Sequence, residues 1–212
     1  MPFEHVNRFH PTIESAFSAL PPQLRGHCER VSIYTELLLR KAYEENLYPQ
    51  HPMLTPRRIS LAGYAARYHD IGIVRIRSDA ALKQRGSFRM HPCLGAELIC
   101  MAVPGAIPGR PGQSFLWQAA VLIAQQHHER WNGRGYPHGL CGEEINLYAR
   151  ACGIADAYDS CTTLRTPSAL CSHEAVFERL VQSPAFDPVL LKALAHCEEQ
   201  FRCASELYQR LK

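Results

Sequence analysis

The chain has 212 residues, 46% of them hydrophobic and 20% charged, with 23 basic against 20 acidic side chains and a net charge of +3. That is one domain's length, enough to bury a core without disulfide or metal staples, and too apolar for a disordered chain. The near-balance of charge gives no case for DNA or RNA as partner, no apolar run reaches membrane-spanning length, and the opening MPFEHVNRFHPTIE lacks the layout of a signal peptide, so a cytoplasmic protein is expected.

Helical periodicity dominates the chain. Residues 1–14 are expected to form an N-terminal arm over a single domain spanning 1–212. Val31, Tyr34, Leu37, Leu38 and Tyr43 then recur at helical spacing within 27–46, and Ile59, Ala62, Ala65 and Ala66 within 56–69. Pro92 suits the first turn of a helix running through Leu98 and Met101. The Gly/Pro-rich stretch 103–113 breaks the pattern, and Ser114 is placed to cap a helix carrying Trp117, Val121, Ile123 and Ala124 down to His127. A further helix is expected over 147–159, and Asp187-Pro188 reads as cap and first turn of a helix with Leu190, Leu191 and Leu194. No segment alternates as a strand does, so the expected class is all-α.

Nine cysteines include no C-x-x-C pair, and several fall in apolar helical stretches. They read as reduced, mostly core thiols rather than zinc ligands. The histidines say more. In chain order, His27, His69-Asp70, His91, His127-His128 and Asp156 each lie on or at the end of an expected helix. Taken singly, His27 or His91 reads as an ordinary hydrogen-bonded histidine, and Asp156 as a cap or ion-pair residue. Together they are five imidazoles and two carboxylates. That is too many for one tetrahedral zinc, and it suits two metals of the iron or manganese type with open positions for water and substrate. Adjacent residues on a helix point about 100° apart, so His69-Asp70 at a helix end can serve two ions. The loop 131–142, WNGRGYPHGLCG, holds four glycines directly after the paired histidines, which lets backbone approach a ligand closely.

The run HHERWNGRGYPHGLCGEEI (127–145), with HDIG at 69–72, HP at 91–92, IADAYD at 154–159 and AFDPVLLKAL at 185–194, resembles the HD-GYP family, a subgroup of the HD phosphohydrolases. The resemblance implies an all-α HD-type bundle with a metal site in its interior cleft, two divalent transition-metal ions (iron or manganese), and hydrolysis of cyclic di-GMP or a related cyclic dinucleotide by a hydroxide activated between the metals. Carried over by position, His27, His69, Asp70 and Asp156 match ligands of the first metal. His91, His127 and His128 match ligands of the second. Asp70 matches the bridging carboxylate on which catalysis depends. Tyr136 matches the signature-loop tyrosine near substrate, and Arg165 a substrate-phosphate arginine.

The sequence departs from that pattern at several positions. The family's HDIGK reads HDIG-Ile73, Gln23 stands where members with three metals carry glutamate, the stretch between the HD pair and His91 is short, and Ser168 replaces a basic residue. Two cations are thereby missing from the substrate side, and a lysine at 73 is expected to strengthen phosphate binding. Arg75 and Arg77 are placed to substitute for it, although they and Arg57-Arg58 read first as solvated surface; His138 is expected to be exposed. With the ligand set complete, an enzyme is the first reading. The alternatives are a receptor or interaction module of the same family and a generic HD nucleotide phosphohydrolase. No receiver or sensor domain is expected in this length, so the signal would come from another protein, such as a diguanylate cyclase, or from the metals' oxidation state.

Overall fold

A long helix in the middle of the molecule organises the rest. The computed structural model describes residues 12–49, 51–52, 54–78, 87–103, 106–109, 114–163 and 172–210. Among them are ten α-helices: α1 (Ile13–Ser18), α2 (Pro22–Glu44), α3 (Pro56–Ala66), α4 (Ile73–Ser78), α5 (His91–Ala102), α6 (Phe115–Gln126), α7 (Leu147–Thr162), α8 (His173–Val181), α9 (Pro188–Ala195) and α10 (Glu198–Arg210). The described residues contain no strand, only an isolated bridge between Asn132 and Cys141. The fold class is all-α.

Helix α2 packs against α3, α7, α9 and α10, while α3 continues onto α6, and α6 onto α5 and α7. Its inward stripe, Val31, Tyr34, Leu38, Leu39 and Ala42, is fully buried, as an amphipathic helix wedged between layers requires. Tyr34 stacks on Phe201 of α10 at 4.8 Å and meets Tyr158 of α7 edge-on at 4.9 Å. Offset and T-shaped pairs of this kind add to the area they bury.

Helix starts follow local chemistry in most places. Thr55 accepts a hydrogen bond from Arg58 N ahead of Pro56, and Asp187 accepts one from Val189 N ahead of Pro188. Ser114 stands at the start of α6, yet its side chain makes no capping bond. Ile13 and Glu14, within the expected arm, already form the first turn of α1. Ile13, Ala16 and Phe17 bury one face of it, and that burial orders the turn. Helices α4, α8 and α10 were not among the expected segments: α4 is only six residues long, and among the described residues of α10 the fully buried large side chain is Phe201.

The chain leaves α3 through a tight turn over 67–72, with His69 N donating to Ala66 O and Ile71 N to Tyr68 O. A Cβ at Gly72 would fall far inside van der Waals contact with His91 O and Gly95 N of α5. Only glycine lets this turn lie directly on the helix that presents His91.

Ile73 corrects one expectation. It opens α4 with its side chain inside the hydrophobic core, 7% exposed, so a lysine here would carry its charge into apolar packing instead of toward a ligand. We expect Ile73→Lys to cost about 2 kcal/mol or more through burial of an unpaired ammonium. That lowers the melting midpoint by roughly 4–8 °C in a domain of this size. Thermal unfolding followed by circular dichroism checks it; an unchanged midpoint would mean that the side chain turns outward.

Candidate metal centre

Five elements bring the sequence-selected residues to one cleft. His27 comes from the second turn of α2, His69-Asp70 from the turn after α3, His91 from the first residue of α5, His127-His128 from the end of α6, and Asp156 from the middle of α7. His27, His69, Asp70, His91, His127 and Asp156 are all buried, and His128 is half-buried. Asp70 lies at the centre. Its Oδ1 is 3.0 Å from His91 Nε2 and 3.6 Å from His127 Nε2; its Oδ2 is 3.5 Å from His69 Nε2 and 3.9 Å from His27 Nε2. Two sets of potential ligand atoms result, Asp70-His91-His127-His128 and His27-His69-Asp70, which share the one carboxylate. Asp156 reaches both sides, with Oδ1 3.3 Å from His27 Nε2 and Oδ2 3.9 Å from His128 Nδ1.

Backbone carbonyls orient three of the imidazoles. His69 Nδ1 donates to Ala66 O at 3.0 Å, His91 Nδ1 to Phe88 O at 2.6 Å, and His127 Nδ1 to Ala124 O at 3.0 Å. His27 Nδ1 donates instead to Asp159 Oδ2 at 2.7 Å. In the neutral tautomers all four rings therefore aim a bare Nε2 lone pair into the cleft. Two contacts show what that demands. His69 Nε2 is buried without any hydrogen-bond partner. His91 Nε2 and His127 Nε2 face each other at 3.2 Å, lone pair toward lone pair unless a cation or proton lies between. Buried, donor-poor nitrogen and carboxylate oxygen of this kind fit divalent metal ions.

The ionisation states divide: burial favours the neutral rings of His69 and His128, while for His27 and His91 burial is outweighed by neighbouring carboxylates that favour the charged ring. Burial pushes His69 down to about 4 and, together with the neighbouring His127, His128 to about 2. Burial opposes the charged forms of Asp70 and Asp156 as well, but the surrounding imidazoles outweigh it and hold both carboxyls below the usual range. For His27, burial is outweighed by the carboxylates of Asp156 and Asp159, and the ring rises to about 10. Asp156, the carboxylate facing Nε2, attracts a cation there for the same reason that it attracts a proton.

Asp159 and Arg30 were missed from the sequence. Arg30 grips Asp159 in a buried two-pronged ion pair, Nε to Oδ1 at 2.6 Å and Nη2 to Oδ2 at 2.8 Å, and Thr163 Oγ1 adds a bond at 2.9 Å. Asp159 lies one helical turn beyond Asp156, and Arg30 almost one turn beyond His27. Helical spacing from two selected residues was the signal available.

Glu129 is the other omission. Its buried carboxylate accepts from His138 N at 2.7 Å and Leu140 N at 3.0 Å, tying the glycine-rich loop back to its own root. Gly135 lets the loop return: a Cβ there would collide with the backbone of Glu129 and Arg130. The returning loop lays Tyr136 on His128, ring centres 4.7 Å apart. His138 is exposed. Arg57 and Arg77 are exposed, Arg75 is half-buried, and Arg58 stands over the Phe115 ring. Gln23 is exposed one turn before His27. Arg165 and Ser168 lie outside the described residues.

Two variants test these supports. Asp159→Asn keeps the shape but weakens the hold on the His27 tautomer, and we expect metal affinity to fall about 10–100-fold, measured by competition with a calibrated chelator. Glu129→Ala leaves two loop N–H groups without their acceptor. Hydrogen exchange at residues 136–140 is expected to quicken while α2 and α7 keep their protection.

Residues 111–190 match the family model described as HD domain. The chain is 34% identical, over 76% of its length, to a cyclic di-GMP phosphodiesterase of Vibrio cholerae, of which it covers 34%. It is 30% identical, over 79% of its length, to a cyclic di-GMP phosphodiesterase response regulator of Xanthomonas campestris pv. campestris, covering 46% of that protein. With a 3'3'-cGAMP-specific phosphodiesterase of Vibrio cholerae it shares 27% identity over 89% of its length, covering 34% of it. The chain thus spans between a third and a half of the length of these relatives. The segment matched by the family model contains His127-His128, the glycine-rich loop and Asp156. With the signature run and these relatives, it makes the chain similar to HD domain proteins of the HD-GYP group.

Proposed function

We propose that the chain is a metal-dependent phosphodiesterase that hydrolyses cyclic di-GMP or a related cyclic dinucleotide, with two divalent transition-metal ions, iron or manganese, as cofactors. The observation that carries this reading is the division of Asp70, one oxygen toward His91 and His127 and the other toward His27 and His69. In this reading His27, His69, Asp70 and Asp156 hold one ion and His91, His127 and His128 the other, with Asp70 common to both. The exposed neutral amide of Gln23 supports two ions over three, since a hard cation prefers carboxylate. Ions so held supply Lewis acidity and bring a water's pKa near neutrality.

The protein's own contribution is preorganisation. The carbonyl and Asp159 contacts orient the rings in advance, so little reorganisation is needed as charge builds on the phosphorus oxygens. Tyr136, held on His128, walls the cleft beside the ligand set and is proposed to touch substrate. Arg165 is proposed as a phosphate contact on the motif alone. Diguanylate cyclases or other signalling proteins as partners, and a cytoplasmic location, belong to the same proposal; the eight described cysteines are unpaired, as in a reducing compartment.

The inward Ile73 favours a second reading, a cyclic-dinucleotide receptor of low or no activity, because the cleft lacks a cation at that position. Anaerobic purification followed by elemental analysis and chromatography of reaction products separates the two. We expect about two iron or manganese ions per chain, cleavage of cyclic di-GMP to the linear dinucleotide or GMP, and loss of both metal and cleavage in Asp70→Ala. Metal-loaded protein that binds cyclic di-GMP without cleaving it establishes the receptor instead.

A further inference from the structure

The cleft needs positive charge for a phosphodiester ligand, and the position where the motif would supply it holds a buried isoleucine. Two other arginines flank the loop. Arg130 is committed to the fold: its Nη1 donates to His127 O and Glu129 O, and its face lies 5.0 Å over Phe186. Arg89 differs. It lies in the short 3-10 turn Ser87–Met90 that leads directly into His91, and that turn is anchored to the cleft because Phe88 O accepts from His91 Nδ1. Its guanidinium stands 4.5 Å over the Tyr136 ring, and Tyr136 in turn stacks on His128. A three-layer column results, from a candidate metal ligand to an exposed cation.

Stacking engages the face of a guanidinium and leaves its edge donors available. Among the described residues no hydrogen bond or ion pair engages Arg89, so none of them takes up its edge donors. A cyclic dinucleotide carries two phosphodiesters on opposite sides of its ring. With one at the His/Asp cluster, the other must lie farther out, and Arg89 is two layers out along the column.

We propose that Arg89 is a substrate-binding residue that holds the phosphate not undergoing cleavage, preorganised by its stack on Tyr136; the proposal rests on the phosphodiesterase reading above. It is a contact made equally in ground and transition states, so it acts on binding more than on turnover. It also explains how the cleft recruits a dianionic ligand with Ile73 turned inward.

The test uses the full chain loaded with Mn²⁺. Steady-state kinetics with cyclic di-GMP are paired with calorimetric binding of a slowly cleaved phosphorothioate analogue, for wild type, Arg89→Ala and Arg89→Lys. In Arg89→Ala, KM and the analogue's Kd are expected to rise about ten-fold or more, as loss of a charge-assisted pair implies, with kcat within about two-fold. Metal content and melting midpoint stay at wild-type values. Arg89→Lys recovers only part, since a lysine keeps the charge but not the planar fork. Binding by Arg89→Ala equal to wild type overturns the proposal, as does a loss of affinity accompanied by loss of metal. Metal-loaded wild type that neither binds nor cleaves cyclic di-GMP overturns the functional reading itself, and this proposal with it.

Discussion

Asp70 is a buried anion with imidazole nitrogens on both sides. A carboxylate removed from water costs several kcal/mol unless countercharge repays it, and here the groups placed to supply or hold that countercharge are the imidazoles. The rest of the cleft follows from that requirement. When neutral, rings whose Nδ1 atoms are spent on carbonyls can only accept at Nε2. Gly72 permits the close approach of the turn after α3 to α5, which sets Asp70 beside His91. Gly153 does the same on the other side, where a Cβ would press on His127 O.

Behind the cleft, a second layer of charge keeps the first in place. Arg30, Asp159 and His27 join α2 to α7 through bonds of 2.6–2.8 Å. The two-pronged guanidinium keeps Asp159 ionised, and an ionised Asp159 keeps the proton on His27 Nδ1. A separate buried pair, Arg150 with Asp187 at 2.6 Å, links α7 to the start of α9, and Tyr48 donates to the same carboxylate at 2.6 Å. Asp187 therefore caps α9 and anchors it to α7 at once. Helix α7 carries both networks, so the helix that offers Asp156 is held along its length.

The glycine-rich loop belongs to the cleft by the same logic. Its sequence has no periodicity to bury, and it is ordered by polar contacts: the Glu129 carboxylate beneath it, Trp131 N on Ala185 O, and Gly142 N on Trp131 O. Tyr136 is thereby set between a histidine of the ligand cluster and a cation at the rim.

From the sequence alone, the class of fold, most helix positions and the set of seven histidines and aspartates could be read, because helical periodicity and residue type are local properties. The seven stand in one cleft. Which oxygen of Asp70 faces which ring is decided only by how α2, α3, α5, α6 and α7 pack. Asp159 and Arg30 were invisible for the same reason: a buried ion pair between positions 129 residues apart has no local signature. The motif suggested a missing charge at position 73 but not the direction of that side chain, and tertiary packing turned it into the core. The column from His128 through Tyr136 to Arg89 is likewise a product of packing, since the glycine loop must fold back before a tyrosine and an arginine so far apart in sequence can meet.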